Sequence, residues 1–395
     1  MKHLRIRMHL RTTEAYRPQS RKRDTNMAER KKKIAIIGAA LFQEPVITKA
    51  KEMGLETHVF AWAAGDPGEK IADYFYPISI REKDQILEEC RKIGIDGIVS
   101  IASDLAMETV NYIAEEMGLP GNSVEATRIS TNKHWMREAF EAAGDPSPRS
   151  ILVDAATDPA SIDLEYPLIV KPTDRSGSRG VHKVNDLKQL RNAIFRAREY
   201  SFENKAVVEE FVEGDEYSIE YISYKGQHWF LSATQKITTG APNFIETGHR
   251  EPAPLDEATI ERIKSISEHA LNTLKLEYGA AHIEIKIDGD KIRLIEIGGR
   301  MGGDFIGSHL VELSTGYDYV RAVIDVAMGV RPEIPSIEKR EYAGVNFIMT
   351  ADDVVVYEQF KHEHPGTILK EHIDSDFSDI VTDSSNRHGY YIFKF

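Results

Sequence analysis

The stretch that decides the fold is AHIEIKIDGDKIRLIEIGGR, residues 281–300. Apolar and polar residues alternate on both sides of Asp288-Gly289-Asp290, which predicts two strands joined by a tight turn. The alternation places His282 and Glu284 on one face of the first strand, and Glu296 lies between isoleucines on the second. The sequence therefore predicts an antiparallel hairpin that carries two carboxylates.

Two carboxylates on neighbouring strands repel each other unless a cation lies between them. Glu284 and Glu296 are hard oxygen donors with few other protein ligands nearby, which suits Mg²⁺ that also binds substrate phosphates. Arg300 follows Glu296 by four residues and could meet a phosphoryl group or a developing oxyanion. The alternative is a solvated polar face of the hairpin that binds no metal.

A polar loop precedes the hairpin at 173–180 (TDRSGSRG), directly after an apolar strand that ends in Lys171. The loop is rich in glycine and backbone N–H groups, and it bears Arg175 and Arg179, so it can close over a polyphosphate. Lysine is rarely buried without an anionic partner, so Lys171 also indicates a phosphate. An ordinary polar hairpin loop is the other interpretation of these residues.

Further along, a strand at 206–211 runs into an acidic turn. Backbone groups at the end of such a strand can hydrogen-bond a flat base, and a carboxylate a few residues later can hold two ribose hydroxyls. The same segment is also compatible with an ordinary strand and turn.

The order of strands and helices divides the chain into segments. Strands alternate with helices from residue 33 to 120, which is typical of a parallel sheet, and a single helix carrying Lys133 is predicted over 125–143 before the pattern changes to antiparallel strands. The predicted fold class is thus α/β and α+β. The predicted segments are a disordered basic extension (1–32), an N-terminal α/β domain (33–120), a linker helix and small lobe (121–205), a large lobe with the metal and catalytic site (206–330), and a C-terminal subdomain (331–395).

The composition is that of a globular protein, with 41% hydrophobic and 29% charged residues. A net charge of −13 argues against nucleic acid as a main partner. The single cysteine, Cys90, excludes a disulfide framework, and no apolar run approaches the roughly 18 residues that cross a membrane. Residues 1–26 carry eight basic and two acidic side chains, which we interpret as a disordered extension. We therefore expect a cytoplasmic protein with no membrane partner.

The order of these features resembles the ATP-grasp superfamily of carboxylate–amine ligases over roughly residues 33–330. The resemblance implies the ATP-grasp fold, with ATP clasped between two antiparallel lobes and Mg²⁺ or Mn²⁺ as cofactor. It implies nucleotide contacts from Lys133, Lys171, Ser176, Gly177, Ser178, Arg179, Gly180, Glu209, Glu210, Phe211, Val212 and Glu216. By the same resemblance Glu284 and Glu296 bind the metal, and Arg300 and Lys171 are catalytic.

The end of the motif, EIGGRMGGDFI at 296–306, is similar to the L-amino-acid ligase branch, which makes dipeptides. In that branch an acid and a histidine upstream of the metal strands line the substrate pocket. Glu246 and His249 stand in the corresponding places, in a segment that we expect to be irregular. Arg300 and Gly303 complete the expected substrate contacts.

One departure from the family pattern concerns the second metal. Many members have an asparagine ligand where this chain has Gly298. The resemblance then implies either that water replaces this ligand or that the second metal is held more loosely.

The resemblance implies an ATP-dependent ligase that joins a small-molecule carboxylate, here an amino acid, to an amine through an acyl phosphate, with release of ADP and phosphate. The resemblance also implies a homodimer, because members of the family are often dimeric. Two alternatives stay open: an ATP-grasp enzyme of nucleotide metabolism, of the glycinamide ribonucleotide or formate type, and a non-catalytic nucleotide-binding regulator.

Overall fold

The computed structural model describes residues 30–241, 244–334, 336–337 and 340–395. The predicted basic extension at 1–32 therefore lies outside the described residues, apart from its last three. In the described part of the chain no helix is both long and apolar enough to cross a membrane. Residues 32–395 pack as one unit.

The N-terminal lobe is a parallel sheet flanked by helices. Its strands are β1 (Lys33–Ile37), β2 (Glu56–Phe60), β3 (Tyr74–Tyr76) and β4 (Gly97–Val99), and its helices are α1 (Glu44–Glu52), α2 (Pro67–Ile71), α3 (Lys83–Ile93) and α4 (Asp104–Met117). The strand order is β3-β2-β1-β4. Alternate residues of β1 enter two different apolar clusters, one with α1 and one with α3 and α4, because helices cover both faces of the sheet.

Two helices follow where one long helix was predicted. They are α5 (Val124–Thr131) and α6 (Lys133–Ala143), and they are separated by Asn132, whose backbone is extended. The Asn132 side chain accepts a hydrogen bond from the backbone N–H of His134 at 3.1 Å, so it caps the second helix. The prediction of one helix was therefore wrong. The break places Lys133 at the first position of α6.

The small lobe is a four-stranded antiparallel sheet. Its strands are β5 (Ser150–Val153), β6 (Leu168–Pro172), β7 (His182–Val184) and β8 (Ala206–Glu210), in the order β5-β8-β6-β7, and its helix is α7 (Leu187–Tyr200). Leu190, Ala193 and Ile194 of α7 pack against apolar residues of the sheet. The predicted loop at 173–180 joins β6 to β7, so its ends are fixed by a covered sheet.

The large sheet has eight strands in the order β13-β12-β9-β10-β11-β14-β16-β15, all antiparallel. They are β9 (Asp215–Tyr224), β10 (Gln227–Thr238), β11 (Glu246–Glu251), β12 (Gly279–Asp288), β13 (Lys291–Gly298), β14 (Ala343–Ile348), β15 (Ile368–Ile373) and β16 (Gly389–Lys394). The accompanying helices are α8 (Glu257–Thr273), α9 (Val311–Thr315), α10 (Tyr319–Ala327) and α11 (Ala351–Glu363). The strands of the C-terminal segment extend this sheet, and the predicted domain limit at residue 330 stays a prediction.

Strand β11 corrects a second expectation. The segment that carries Glu246 and His249 was expected to be irregular, yet it pairs with β10 on one side and with β14 on the other. Its sequence, ETGHRE, has no apolar residue, so periodicity gives no strand signal. Glu246 and His249 are nonetheless buried, at 9% and 1% exposure, because Ser384 and Lys236 cover the first and Asp304 and Phe347 the second.

Candidate active site

A cleft of about 990 Å³ lies between the small sheet and the large sheet. Strands β6 and β8 line one side, and β10, β12 and β13 line the other. Fourteen residues that the sequence singled out line it: Lys133, Lys171, Ser176, Gly177, Ser178, Glu209, Glu210, Phe211, Val212, Glu216, Glu246, Glu284, Glu296 and Arg300. Two predicted nucleotide contacts lie elsewhere: Arg179 lines an adjoining chamber, and Gly180 lies close to Pro172 and Tyr200.

The predicted metal ligands Glu284 and Glu296 are directly opposite each other on β12 and β13. The Oε1 atom of Glu284 lies 2.8 Å from Lys236 Nζ, and that of Glu296 lies 2.8 Å from Lys133 Nζ. Among the described residues no hydrogen bond engages the Oε2 atom of Glu284 or of Glu296. No group of three or more His, Cys, Asp or Glu side chains in this part of the chain could hold a metal ion by itself. The pair therefore fits a hard divalent cation that takes its other ligands from water and phosphate.

Lys236 is the centre of a buried ionic cluster that the sequence analysis missed. Its Nζ lies 2.8 Å from Glu216, 2.8 Å from Glu284 and 3.6 Å from Glu246. Burial would lower the pKa of Lys236, but the three carboxylates raise it well above its usual value, so the lysine is charged. Lys236 lies opposite Glu216 in the register of β9 and β10, so a cross-strand pairing rule could have found this contact.

A histidine–glutamate pair supports Glu284 from behind. His282 Nδ1 lies 2.5 Å from Glu220 Oε1, and its Nε2 lies 3.4 Å from Glu284 Oε1. The second oxygen of Glu220 accepts a hydrogen bond from the backbone N–H of Gly302 at 3.0 Å. Burial would lower the pKa of His282, but Glu220 raises it above its usual value. The raised pKa favours the protonated imidazole, which can donate to Glu220 and Glu284 together.

Lys171 is buried beside the glycine-rich loop, as the sequence predicted. Its Nζ lies 2.7 Å from Glu209 Oε2, and Arg137 Nε lies 2.9 Å from Glu209 Oε1. Burial lowers the pKa of Lys171, and the nearby Arg137 lowers it further, although Glu209 opposes both effects. Glu209 was predicted to contact adenine, but its carboxylate is occupied by these two cations. Its side chain thus positions Lys171, with Arg137 as a further residue that the sequence did not reveal.

Part of the cleft lining is apolar and suits a nucleotide base. Ile169, Ile295 and Phe211 line it with apolar surface, and Lys286 Nζ lies 3.3 Å from the carbonyl oxygen of Val212. An apolar slot with backbone polar groups at its edge suits a flat heterocycle. Glu210 Oε2 accepts a hydrogen bond from the backbone of Arg149, and Glu216 is paired with Lys236.

A second chamber of about 910 Å³ adjoins the cleft. Its lining includes the predicted substrate residues Glu246, His249, Arg300 and Gly303. Arg300 and Glu284 line both spaces, so they stand at the junction.

A loop of the C-terminal segment closes one wall of this chamber. Ser384 donates a hydrogen bond to Glu246, and Arg387 donates two to Asp304. Asp304 has a φ of 51°, a left-handed conformation that is strained for a residue other than glycine. Arg387 therefore holds a strained segment of the chamber wall.

The side chain of Arg300 is not free in the described structure, because it is paired with an acid of another lobe. Its Nε and Nη2 atoms donate to Asp104 Oδ1 and Oδ2, each at 2.9 Å. Asp104 belongs to α4 of the N-terminal lobe, so this ion pair joins the N-terminal lobe to the large lobe. The sequence analysis did not single out Asp104, which looks like an ordinary first residue of a helix.

Two sheets that enclose a lysine-lined cleft, a glycine-containing loop beside it and an adjoining chamber form a site that suits a nucleotide and a second small molecule. A family model described as "ATP-grasp domain" matches residues 164–308. The crystal structure of L-amino acid ligase from Bacillus licheniformis has a TM-score of 0.79 and 24% identity, covering 93% of this chain and 94% of that one. Residues 164–308 therefore match the ATP-grasp domain family, and the chain as a whole shares its fold with the L-amino acid ligase structure.

Other relatives fall within the same superfamily but differ in their reactions. Alanine–anticapsin ligase of Bacillus subtilis (strain 168) is 28% identical over 270 residues, which cover 59% of this chain. The match spans only 57% of that relative's length. Phosphoribosylglycinamide synthetase from Anaerococcus prevotii has a TM-score of 0.72 and 20% identity, covering 92% and 94% of the two chains. This last likeness shows the fold alone.

Proposed function

We propose that the protein is an ATP-dependent ligase that joins a carboxylate to an amine through an acyl phosphate and releases ADP and phosphate. The observation that carries this proposal is the junction between two spaces at Arg300 and Glu284. A nucleotide in the cleft would direct its terminal phosphate to the point where a small molecule in the chamber could accept it.

The chemistry explains why such a junction is needed. A carboxylate resists attack by an amine because its leaving group would be oxide, whereas an acyl phosphate loses phosphate readily. Lys133 and Lys171 would neutralise the phosphate oxygens, and Arg300 would stabilise charge on the transferred group. The 173–180 loop would exclude water from the intermediate. Mg²⁺ bound by Glu284 and Glu296 would neutralise phosphate charge when present.

We propose an amino acid as the carboxylate substrate. His249 is 1% exposed and lines the chamber; its Nε2 lies 3.6 Å from Asp304 Oδ2, beyond hydrogen-bond distance, and among the described residues neither ring nitrogen makes a hydrogen bond. Such buried groups are normally satisfied, so a ligand is the natural partner. Burial lowers the pKa of His249, so the neutral ring can donate one hydrogen bond and accept another. Glu246, on the same strand, offers a carboxylate for a substrate ammonium.

The test is release of ADP and phosphate from Mg-ATP with single and paired L-amino acids, with products identified by mass spectrometry. Release that depends on a pair, with a condensed amide mass, would support the ligase and identify its substrates. We expect Arg300→Ala to lower kcat at least about 100-fold, as loss of a transition-state contact does. Arg293→Ala, an exposed arginine on the neighbouring β13 strand, is the matched control and should retain full activity.

Two results would contradict the proposal. Near-normal turnover by a folded Arg300→Ala variant would remove Arg300 from the chemistry. Silence across the amino-acid panel, with a melting temperature still raised by ATP, would leave nucleotide binding intact. It would redirect the assignment to a different carboxylate or to a regulator.

A further inference from the structure

The surroundings of Gly298 account for the missing asparagine of the family pattern. A Cβ atom added at Gly298 would lie 2.7 Å from Asp104 Oδ1 and 3.1 Å from Arg300 Nε. The 2.7 Å contact requires the Asp104 carboxylate or the backbone to shift, and the 3.1 Å contact requires the guanidinium to give by a few tenths of an ångström. The space that a side chain at position 298 would need is thus filled by the Asp104–Arg300 ion pair.

The position of Asp104 at the start of helix α4 places its carboxylate beside Arg300 and stabilises its negative charge. Ser103 caps helix α4 by accepting a hydrogen bond from Ala106 N at 3.3 Å, and Asp104 is the first residue of that helix. The helix follows β4, so its N-terminus lies at the carboxyl edge of the parallel sheet. A negative charge in the first turn is stabilised by the helix dipole.

The ion pair fixes the plane of the guanidinium. Two nitrogens bind Asp104 at 2.9 Å, and Nη1 donates to the carbonyl oxygen of Met301 at 3.1 Å. Since a guanidinium has about five N–H donors, roughly two remain for a ligand in the cleft. A bidentate carboxylate sets both the position and the orientation of those remaining donors.

Asp104 differs from a metal ligand in its bonding. Both of its oxygens are engaged by Arg300, and within the described residues it belongs to no group of carboxylates spaced to hold a metal. Its carboxylate is also set among cations, since Arg300 and Lys133 both stabilise its charged form. The role that remains is the orientation of Arg300.

We propose that Asp104 is a positioning residue that aims Arg300 at the terminal phosphate of the nucleotide, so that the N-terminal lobe completes the active site. The proposal rests on the proposed function, because that function assigns Arg300 to the transferred phosphate. Gly298 and Asp104 act together in this proposal, because the absence of a side chain at position 298 leaves room for the carboxylate of Asp104.

The test compares two nucleotides that differ by the terminal phosphate. Isothermal titration in Mg²⁺ measures the affinities of ADP and of β,γ-imido-ATP for the full-length protein. We expect Asp104→Asn to leave the ADP affinity within about twofold and to weaken β,γ-imido-ATP about tenfold, or roughly 1.4 kcal/mol. Gly298→Ala should reproduce that selective loss without removing a charge. Asp84→Asn, an exposed acid in the first turn of α3, is the matched control and should change neither affinity.

A double-mutant cycle separates orientation from general structural damage. In an Arg300→Ala background, Asp104→Asn should cause no further loss of β,γ-imido-ATP affinity, because it acts only through the arginine. Equal weakening of both nucleotides by Asp104→Asn, or an additive effect in the double variant, would overturn the proposal. If the wild-type protein binds ADP and β,γ-imido-ATP equally, Arg300 does not recognise the terminal phosphate and the proposal is also overturned. Failure of the wild type to bind either nucleotide would instead refute the proposed function.

Discussion

Replacing Lys236 by methionine should lower the free energy of unfolding, and the pH dependence of that loss should show that it comes from the missing charge. Lys236 is the cation shared by Glu216, Glu284 and Glu246, and its side chain is 4% exposed. Methionine keeps most of the side-chain volume but removes the charge, so three carboxylates would face one another without a counter-ion. Breaking a buried ion pair on one side costs about 3–5 kcal/mol. The glutamates are partly exposed, so we expect about 3 kcal/mol at pH 7.5.

The sign of the pH dependence follows from Glu284. Burial would raise the pKa of this carboxyl, but Lys236 and His282 hold it well below its usual value. A lowered pKa contributes stability above the unfolded-state value, and this stability is lost as the pH falls. The variant lacks this contribution, so its deficit relative to the wild type should persist down to about pH 4.5, the unfolded-state pKa, and shrink only as the pH falls below that value. Adding Mg-ADP should also shrink it, because the metal restores positive charge beside the glutamates.

Urea unfolding at pH 7.5 and at about pH 3.5, below the unfolded-state pKa of a glutamate, measures the free energy of unfolding with and without Mg-ADP. Lys236→Arg keeps the charge and should lose much less, and Lys291→Met removes an exposed lysine from β13 as a control. Adding Glu216→Gln to Lys236→Met should recover part of the loss by removing one of the three charges. A deficit below about 1 kcal/mol at pH 7.5, the range of an exposed pair, would refute the ionic account. So would a deficit that is the same at both pH values.

Two further predictions concern other buried groups. Glu251 is fully buried, and burial raises its pKa to about 7, so the stability it contributes is present at pH 4.5 and lost as the pH rises through 7. Between pH 4.5 and pH 8 the free energy of unfolding of Glu251→Gln should therefore rise by about 3 kcal/mol relative to that of the wild type, as measured by urea unfolding. A difference between the two proteins that does not change with pH would contradict this. Arg387→Gln removes two charge-assisted hydrogen bonds to Asp304, each of which contributes about 1.5–3 kcal/mol, and so should loosen this wall of the chamber. We expect the KM for the carboxylate substrate to rise about tenfold and the KM for ATP to stay unchanged. Steady-state kinetics that raise both KM values equally would contradict it.

The residues that the sequence could predict are those whose roles depend on local periodicity. Alternation around a two-residue turn placed Glu284 and Glu296 on paired strands, and they are opposite each other in the structure. Lys171 followed from its position at the end of an apolar strand. These features depend on neighbours within a few residues, and a strand repeat of two fixes which side chains share a face.

The missed elements depended on competing local signals. Asn132 lies in a run of residues that otherwise favours a helix, so periodicity indicated one helix where a cap makes two. The preference of asparagine for the N-cap position could have revealed the break. Strand β11 is different, because its polar residues face a chamber and not an apolar core. A hydrophobic pattern cannot reveal a strand of that kind.

The missed site residues depended on contacts between lobes. Asp104 and Arg300 are 196 positions apart in the chain, and nothing near Asp104 distinguishes it from other acids at helix starts. Gly298, taken alone, indicated a lost metal ligand. In the structure a side chain at position 298 would come within 2.7 Å of the Asp104 carboxylate in its present place, so one of the two would have to shift. The identity of either residue can therefore be interpreted only together with the other. The glycine then indicates room made for the partner of Arg300, and it gives no reason to expect a weakened site.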